Sequence, residues 1–166
     1  MPYGYISVGS NIDKQKYIPA SLVALRKCFG QLTVSSIYES EAVGFSGDSF
    51  YNCVVGFGSE LDVKIVARKL RQIELDNGRT RSCKKFSART LDLDLLLYGD
   101  QIINEDGLQI PRDEIERYAF VLEPLAEIAP MLQHPVSQLT YDELWKNFDK
   151  TDVRQKRIDP VWLPTE

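Results

Sequence analysis

An α+β fold, a ferredoxin-like antiparallel sheet with helices packed on it, is what the sequence predicts. Three observations predict it. Apolar residues make up 43% of the 166 residues, enough for a sizeable core. Segments rich in β-branched and aromatic residues alternate with segments of helical period. Their order reads β-α-β-β-α-β and then helices, the split pattern that forms a mostly antiparallel sheet with helices on one face. The length suits one domain, expected over residues 1–148, with a C-terminal tail over 149–166.

"YGYISVG", Tyr3 to Gly9, is the first strand, ending in Gly-Ser-Asn. From Ile18, Ser21, Leu22, Leu25 and Phe29 form a helical stripe, and Gly30 is placed to cap it. "LTVSSIYES", Leu32 to Ser40, reads as one strand. A loop with two glycines follows, and "FYNCVVGFGSE" returns as a strand interrupted by Asn52. Asp62 is an N-cap for a helix whose face is Val63, Val66, Ala67, Leu70 and Ile73, with Glu74 where another apolar residue would fit. "NGRTRSCKKFSAR", Asn77 to Arg89, is a basic loop. "LDLDLLLYG" is a buried strand, and "GDQIINEDG" a turn with a short edge. After Pro111 the spacing predicts helical segments broken near Pro124 and Pro130, then a short helix capped by Thr140. The last stretch has little periodicity and is expected to pack locally through Trp162.

Net charge is −4, so no chain-wide cationic field favours nucleic acid or an anionic membrane. No apolar run approaches the ~20 residues that span a bilayer. The N-terminus lacks a basic region followed by an apolar one, so no secretory signal is read. Cys28, Cys53 and Cys83 share no metal-ligand spacing and read as reduced thiols of a cytoplasmic protein. Cys83 lies among cations, which would lower its pKa if exposed, yet it reads as an incidental loop residue. His134, the single histidine, reads as a surface or packing residue.

Two acids in the buried strand stand out. Side chains alternate along a strand, so Asp92 and Asp94 share one face while Leu91, Leu93 and Leu95 take the other. Like charges about 6–7 Å apart repel and resist burial unless something positive compensates. A carboxylate pair of this kind suits Mg²⁺ with phosphate oxygens completing the shell. On an arbitrary strand the same pair could simply line a solvated edge. Here the preceding loop supplies Arg79, Arg81, Lys84, Lys85 and Arg89 with no acid between the first and last. Arginine offers planar bidentate donors to phosphate, so the combination points to a polyphosphate bound with Mg²⁺. A basic loop that is merely solvated is the plainer alternative. Glu74, a turn before the loop, is placed to orient an arginine or touch the nucleotide.

"RTLDLDLLLYG", with "GSN" at Gly9 to Asn11, "SSIYES" at Ser35 to Ser40, "YNCVV" at Tyr51 to Val55 and "IELDNGRTR" at Ile73 to Arg81, resembles the 6-hydroxymethyl-7,8-dihydropterin pyrophosphokinases of folate biosynthesis. Order and spacing hold from about residue 3 to residue 132. The resemblance implies transfer of pyrophosphate from ATP to the pterin hydroxymethyl group, with AMP released. It implies that Asp92 and Asp94 bind two Mg²⁺ ions and that Arg79 and Arg89 act on the phosphates. Glu74, Arg81, Lys84, Leu95, Arg112 and Arg117 would bind ATP. Ser40, Val43, Phe50, Asn52, Phe86, Asp92 and Phe120 would form the pterin site. Elementary chemistry agrees: an Asn inside an apolar strand can read a heterocycle edge, and aromatic faces can enclose the ring. ATP and a hydroxymethyl pterin are the expected partners, without nucleic acid or membrane, and a monomer is the expectation.

The chain also departs from the family pattern. Phe86, Ser87 and Ala88 stand where the family usually has Trp-Gly-Pro, and Glu41 replaces a proline. Arg112 and Asp113 stand where a His and a Tyr usually hold the phosphates. A family arginine falls on Tyr118, with Arg117 one position earlier, a step of about 100° on a helix. The implied reading is a divergent active enzyme in which Arg112 and Arg117 fill in. The alternative is a non-catalytic pterin- or nucleotide-binding relative.

Overall fold

A computed structural model describes residues 1–41, 48–78, 90–105 and 107–159. The chain runs β1 (Tyr3–Ser10), α1 (Lys14–Phe29), β2 (Leu32–Val34), β3 (Ile37–Ser40), β4 (Phe50–Gly58), α2 (Val63–Asp76) and β5 (Asp92–Tyr98). It continues through β6 (Ile103–Glu105), β7 (Leu108–Ile110), α3 (Glu114–Arg117), α4 (Ala119–Ile128), α5 (Tyr141–Lys146) and β8 (Lys156–Ile158). The main sheet has the order β5-β1-β4-β3-β8, with β2 also on β4, and every pair is antiparallel.

The helix signals act as their chemistry dictates. Gly30 ends α1 at φ 79°, a left-handed angle that glycine adopts without a Cβ penalty. The Asp62 side chain accepts from the Lys64 N–H at 2.9 Å and opens α2. Thr140 and Glu143 form a capping box on α5. On α2, Val63, Val66, Leu70 and Ile73 are buried against the sheet, each worth roughly 1.5–3 kcal/mol.

Helices cover both faces of the sheet, not one. α1 and α2 pack on Ile6, Val8, Val55, Phe57, Leu93 and Leu95. α3, α4 and α5 pack on Val54, Leu96 and Leu97 of the opposite face. A β-bulge reconciles the two sides. Tyr5 pairs with Leu97 and Ile6 with Leu95, leaving Leu96 between them. Leu96 and Leu97 therefore both enter the second core, and Tyr98 returns to the first.

Four expectations need correction. Leu32 to Ser40 is two strands, because the regular ladder stops at Ser35, whose N–H still donates to the Val54 carbonyl at 2.9 Å but whose hydroxyl replaces its carbonyl as acceptor. The Val54 N–H donates to Ser35 Oγ at 2.9 Å, and the Ser36 N–H and hydroxyl donate to the Glu127 carboxylate. The break between α3 and α4 falls at the extended Tyr118, whereas Pro124 lies buried inside α4. Packing of Val121, Leu122 and Leu125 outweighs its missing hydrogen bond. The short edge after Gly99 is a separate ribbon of β6 and β7. In the tail, β8 joins the main sheet through Ile37↔Ile158, Tyr38↔Arg157 and Glu39↔Lys156. Trp162 lies outside the described residues. Among the described residues, no helix is long and apolar enough to cross a membrane.

Candidate active site

The site grows from the register of three neighbouring strands. Gly9 of β1 is paired with Asp92 on one side and with Asn52 on the other. Cross-strand partners share a face, so Asp92, Gly9 and Asn52 form one row on the α3–α5 side. With strands about 4.8 Å apart, the outer members are about 10 Å apart, wide enough for a flat ring system. Gly9 keeps that space open: a Cβ there would stand 3.2 Å from Asn52 Oδ1 and 3.7 Å from Phe50 Cδ1. Phe50 precedes Asn52 by two residues on β4 and faces the same way. Phe50 pairs with Ser40, and Asn52 Nδ2 donates to Ser40 Oγ at 2.7 Å. Asn52 is buried, so that bond leaves its carbonyl oxygen directed at the Gly9 opening.

Asp92 and Asp94 lie on one face of β5, half-buried, as the alternation predicts. Leu91, Leu93 and Leu95 are buried in the other core. Leu95 therefore turns its side chain away from the acids, and only its main chain can face a nucleotide. Glu74 is buried, and its Oε2 accepts from the Leu93 N–H at 2.7 Å. β5 is the edge strand of the sheet, and this carboxylate clamps it between the two aspartates.

Arg112 approaches Asp94 from the segment between β7 and α3. Its N–H donates to the Leu96 carbonyl at 3.1 Å, and its Nη2 stands 3.9 Å from Asp94 Oδ1. Nε and Nη2 also donate to the two Glu114 oxygens. Burial opposes the guanidinium charge, but Glu114, then Asp94 and Asp92, outweigh it and raise the pKa. Arg117 is tied elsewhere: it donates to Asp113 at 3.0 Å and lies 5.1 Å from the Tyr118 ring centroid. Asp113 thus binds its own arginine. Phe120 stacks on Tyr118 at 5.0 Å and lines, with Ser40, a cavity of about 360 Å³. Phe148, Asp149 and the run from Asp152 to Gln155 also line that cavity.

Asp92, Asp94, Asn52, Ser40, Phe50 and Arg112 are thus brought to one end of one sheet face. Arg79, Arg81, Lys84, Phe86, Arg89, Cys83 and Val43 lie outside the described residues. Gly9 and Glu114 were missed as site residues. Gly9 stood in the quoted "GSN", but only the register shows what its missing side chain leaves open. Glu114, two residues after Arg112, is an acid whose role needs the folded segment. His134 is buried: Nδ1 accepts from the Val136 and Ser137 N–H groups, and Nε2 lies 3.2 Å from Glu116 Oε1.

Among the described residues, no cluster of three or more His, Cys, Asp or Glu side chains could hold a metal by itself. The Asp92 and Asp94 pair fits a cation that takes one or two carboxylates and completes its shell from phosphate and water, as Mg²⁺ does.

Comparison with known proteins bears on this geometry. Residues 5–130 match the family model of 7,8-dihydro-6-hydroxymethylpterin-pyrophosphokinase. The 2-amino-4-hydroxy-6-hydroxymethyldihydropteridine pyrophosphokinase of Haemophilus influenzae is 36% identical over 160 residues, covering 94% of this chain and 98% of that one. The Bacillus subtilis protein of the same name is 32% identical over 156 residues, 89% and 93% of the two chains. The folic acid synthesis protein FOL1 of Dictyostelium discoideum is 36% identical over 146 residues, which are 86% of this chain and 22% of that longer one. Among solved structures, a Plasmodium falciparum HPPK-DHPS triple mutant with SDX-DHP superposes with a TM-score of 0.74 at 14% identity. It covers 94% of this chain, which spans 45% of it, and at that identity the likeness shows the fold alone. On the family match and on relatives that agree along nearly their whole length, this chain belongs to the 7,8-dihydro-6-hydroxymethylpterin-pyrophosphokinase family.

Proposed function

We propose that this chain transfers pyrophosphate from ATP to the hydroxyl of 6-hydroxymethyl-7,8-dihydropterin, releasing AMP, as a step of folate biosynthesis. The observation that carries the reading is the row Asp92–Gly9–Asn52, which sets a buried amide and a half-buried carboxylate on either side of an opening. The Asn52 carbonyl oxygen accepts from a ring N–H, while Ser40 fixes the amide from behind. Phe50 and Phe120 bound the ring. The hydroxymethyl group then points along the row toward Asp92. The new bond joins its oxygen to the β-phosphorus of ATP, the bond from that phosphorus to the AMP oxygen breaks with its electron pair leaving on AMP, and the hydroxyl proton passes to solvent water.

Asp92 and Asp94 would hold two Mg²⁺ ions, which supply charge neutralisation on the phosphates. Glu74 keeps the strand carrying both acids in place through the Leu93 N–H. Arg112 approaches the phosphates from beside Asp94, and its Nη1 has no hydrogen bond among the described residues. Phosphoryl-type transfer asks chiefly for positioning and neutralisation, so this set suffices without a dedicated base. Thiols at Cys28 and Cys53 support a reducing, cytoplasmic setting.

One observation favours a non-catalytic relative: Arg112 and Arg117 are both engaged by acids of their own segment. AMP release from ATP with Mg²⁺ and the pterin separates the two. The enzyme reading expects AMP that depends on both the pterin and Asp94, with Asp94→Ala as control. Pterin binding without AMP would establish the relative instead.

A further inference from the structure

We infer that Glu114 is a positioning residue that keeps the Arg112 guanidinium off Asp94, so that this carboxylate can take a divalent cation. The inference rests on the reading of Asp94 as a metal ligand and concerns a residue to which that reading assigns nothing.

A guanidinium beside a cation site is a problem that the site must solve. Arg112 is fixed close to Asp94 by its own main chain, whose N–H bonds the Leu96 carbonyl two residues along the strand. Its side chain is 25% exposed, so it is only partly screened by water. Left alone, such a cation closes onto the nearest carboxylate and makes a bidentate pair. It does not do so here. Nη2 stops 3.9 Å from Asp94 Oδ1, well beyond hydrogen-bond length. The bidentate pair is made instead with Glu114, through Nε and Nη2. Glu114 is 12% exposed in its side chain, so this is a sheltered pair and not a surface contact. Glu114 does two things at once. It takes the two donors that would otherwise turn to Asp94, and its charge cancels the positive field that would repel a metal ion. Arg112 keeps its Nη1 edge for phosphate.

If Glu114 loses its charge, Asp94 becomes the strongest partner for a cation that cannot leave. Arg112 then occupies the position the metal needs. The test is Mn²⁺ binding, read as the water-proton relaxation enhancement of protein-bound Mn²⁺ above that of the Mn²⁺–nucleotide complex, with a non-hydrolysable ATP analogue raised to saturation for each variant separately. Wild type should bind Mn²⁺, and Asp94→Asn should lose that binding. Glu114→Gln should weaken it about tenfold, and the double variant Arg112→Gln/Glu114→Gln should return to within about twofold of wild type. Circular dichroism confirms that each variant is folded. If Glu114→Gln does not fold, the double variant decides: Mn²⁺ binding much weaker than wild type overturns the inference. So does a folded Glu114→Gln that binds like wild type, or one that the second substitution does not rescue. Wild-type binding indifferent to Asp94→Asn would fail differently, since it would remove the metal-ligand reading itself and the inference with it.

Discussion

The two ends of the site are built by different means. The end proposed to take the heterocycle consists of Gly9, Ser40, Phe50 and Asn52, residues on three adjacent strands whose relation is fixed by ladder register. Its polar contact is neutral, Asn52 to Ser40. The end proposed to take the phosphates consists of Asp92, Asp94, Arg112 and Glu114, charged groups drawn from β5 and from the segment entering α3. The difference teaches why Asn52 keeps the family pattern while the histidine position beside Asp94 has changed to Arg112. Reading the edge of a ring needs donors and acceptors at fixed places, and few side chains can supply them. Neutralising a polyphosphate needs charge nearby, and arginines approaching from more than one position can deliver it. Arg112 in place of a histidine, with its own acid beside it, would be a solution of the second kind.

That contrast can be broken by experiment. The largest effect is expected from Asp94→Ala, which should cut AMP release by about a thousandfold or more while pterin affinity by calorimetry stays within about tenfold. Equal loss of both would mean that the ends are not separate. Next, Asn52→Ala should weaken pterin binding by about ten- to a hundredfold and leave ATP-analogue binding unchanged, the mirror image of the first result. A smaller effect is expected at His134, which ties the turn at 134–137 to Glu116 of α3 and so supports the phosphate end. Burial lowers its pKa against the weaker opposing pull of Glu116. The unfolded chain then takes up the proton first as pH falls. Stability should decline below about pH 6.5, as pH falls toward the depressed folded value, and level off beneath it. Urea melts of His134→Gln should lack that decline. Smallest of all is Arg117→Ala: paired with Asp113 and half-exposed, Arg117 should change the KM for ATP by less than about twofold. A tenfold rise would place it on the phosphates.

Much of this was readable from residues alone. The alternation around Asp92 and Asp94 gave their shared face, because period 2 survives whatever packs above it. Asp62, Thr140 and Gly30 marked helix ends because capping is local chemistry. What escaped depended on distant partners. The break between β2 and β3 needs Glu127, 91 residues away from Ser36. Its carboxylate also accepts from the Tyr38 hydroxyl at 2.7 Å. β8 has no periodicity of its own and exists because β3 offers an edge, with Arg157 laid over the Tyr38 ring at 5.5 Å. Gly9 became a site residue only when register set it between Asn52 and Asp92. Glu114 looked like any acid in a first helical turn until Arg112 was seen to fold back onto it.

β5 carries one residue more than its neighbour requires. Leu96 has no opposite number, since Tyr5 takes Leu97 and Ile6 takes Leu95. Excising it would leave both flanking registers in step: the aspartates would keep their face and Tyr98 its own. What would vanish is the carbonyl that fastens the Arg112 main chain. The sheet could therefore survive a one-codon deletion that the phosphate end could not. Length variation at this point, rather than substitution, is the kind of genetic change that would separate folding from chemistry in this chain.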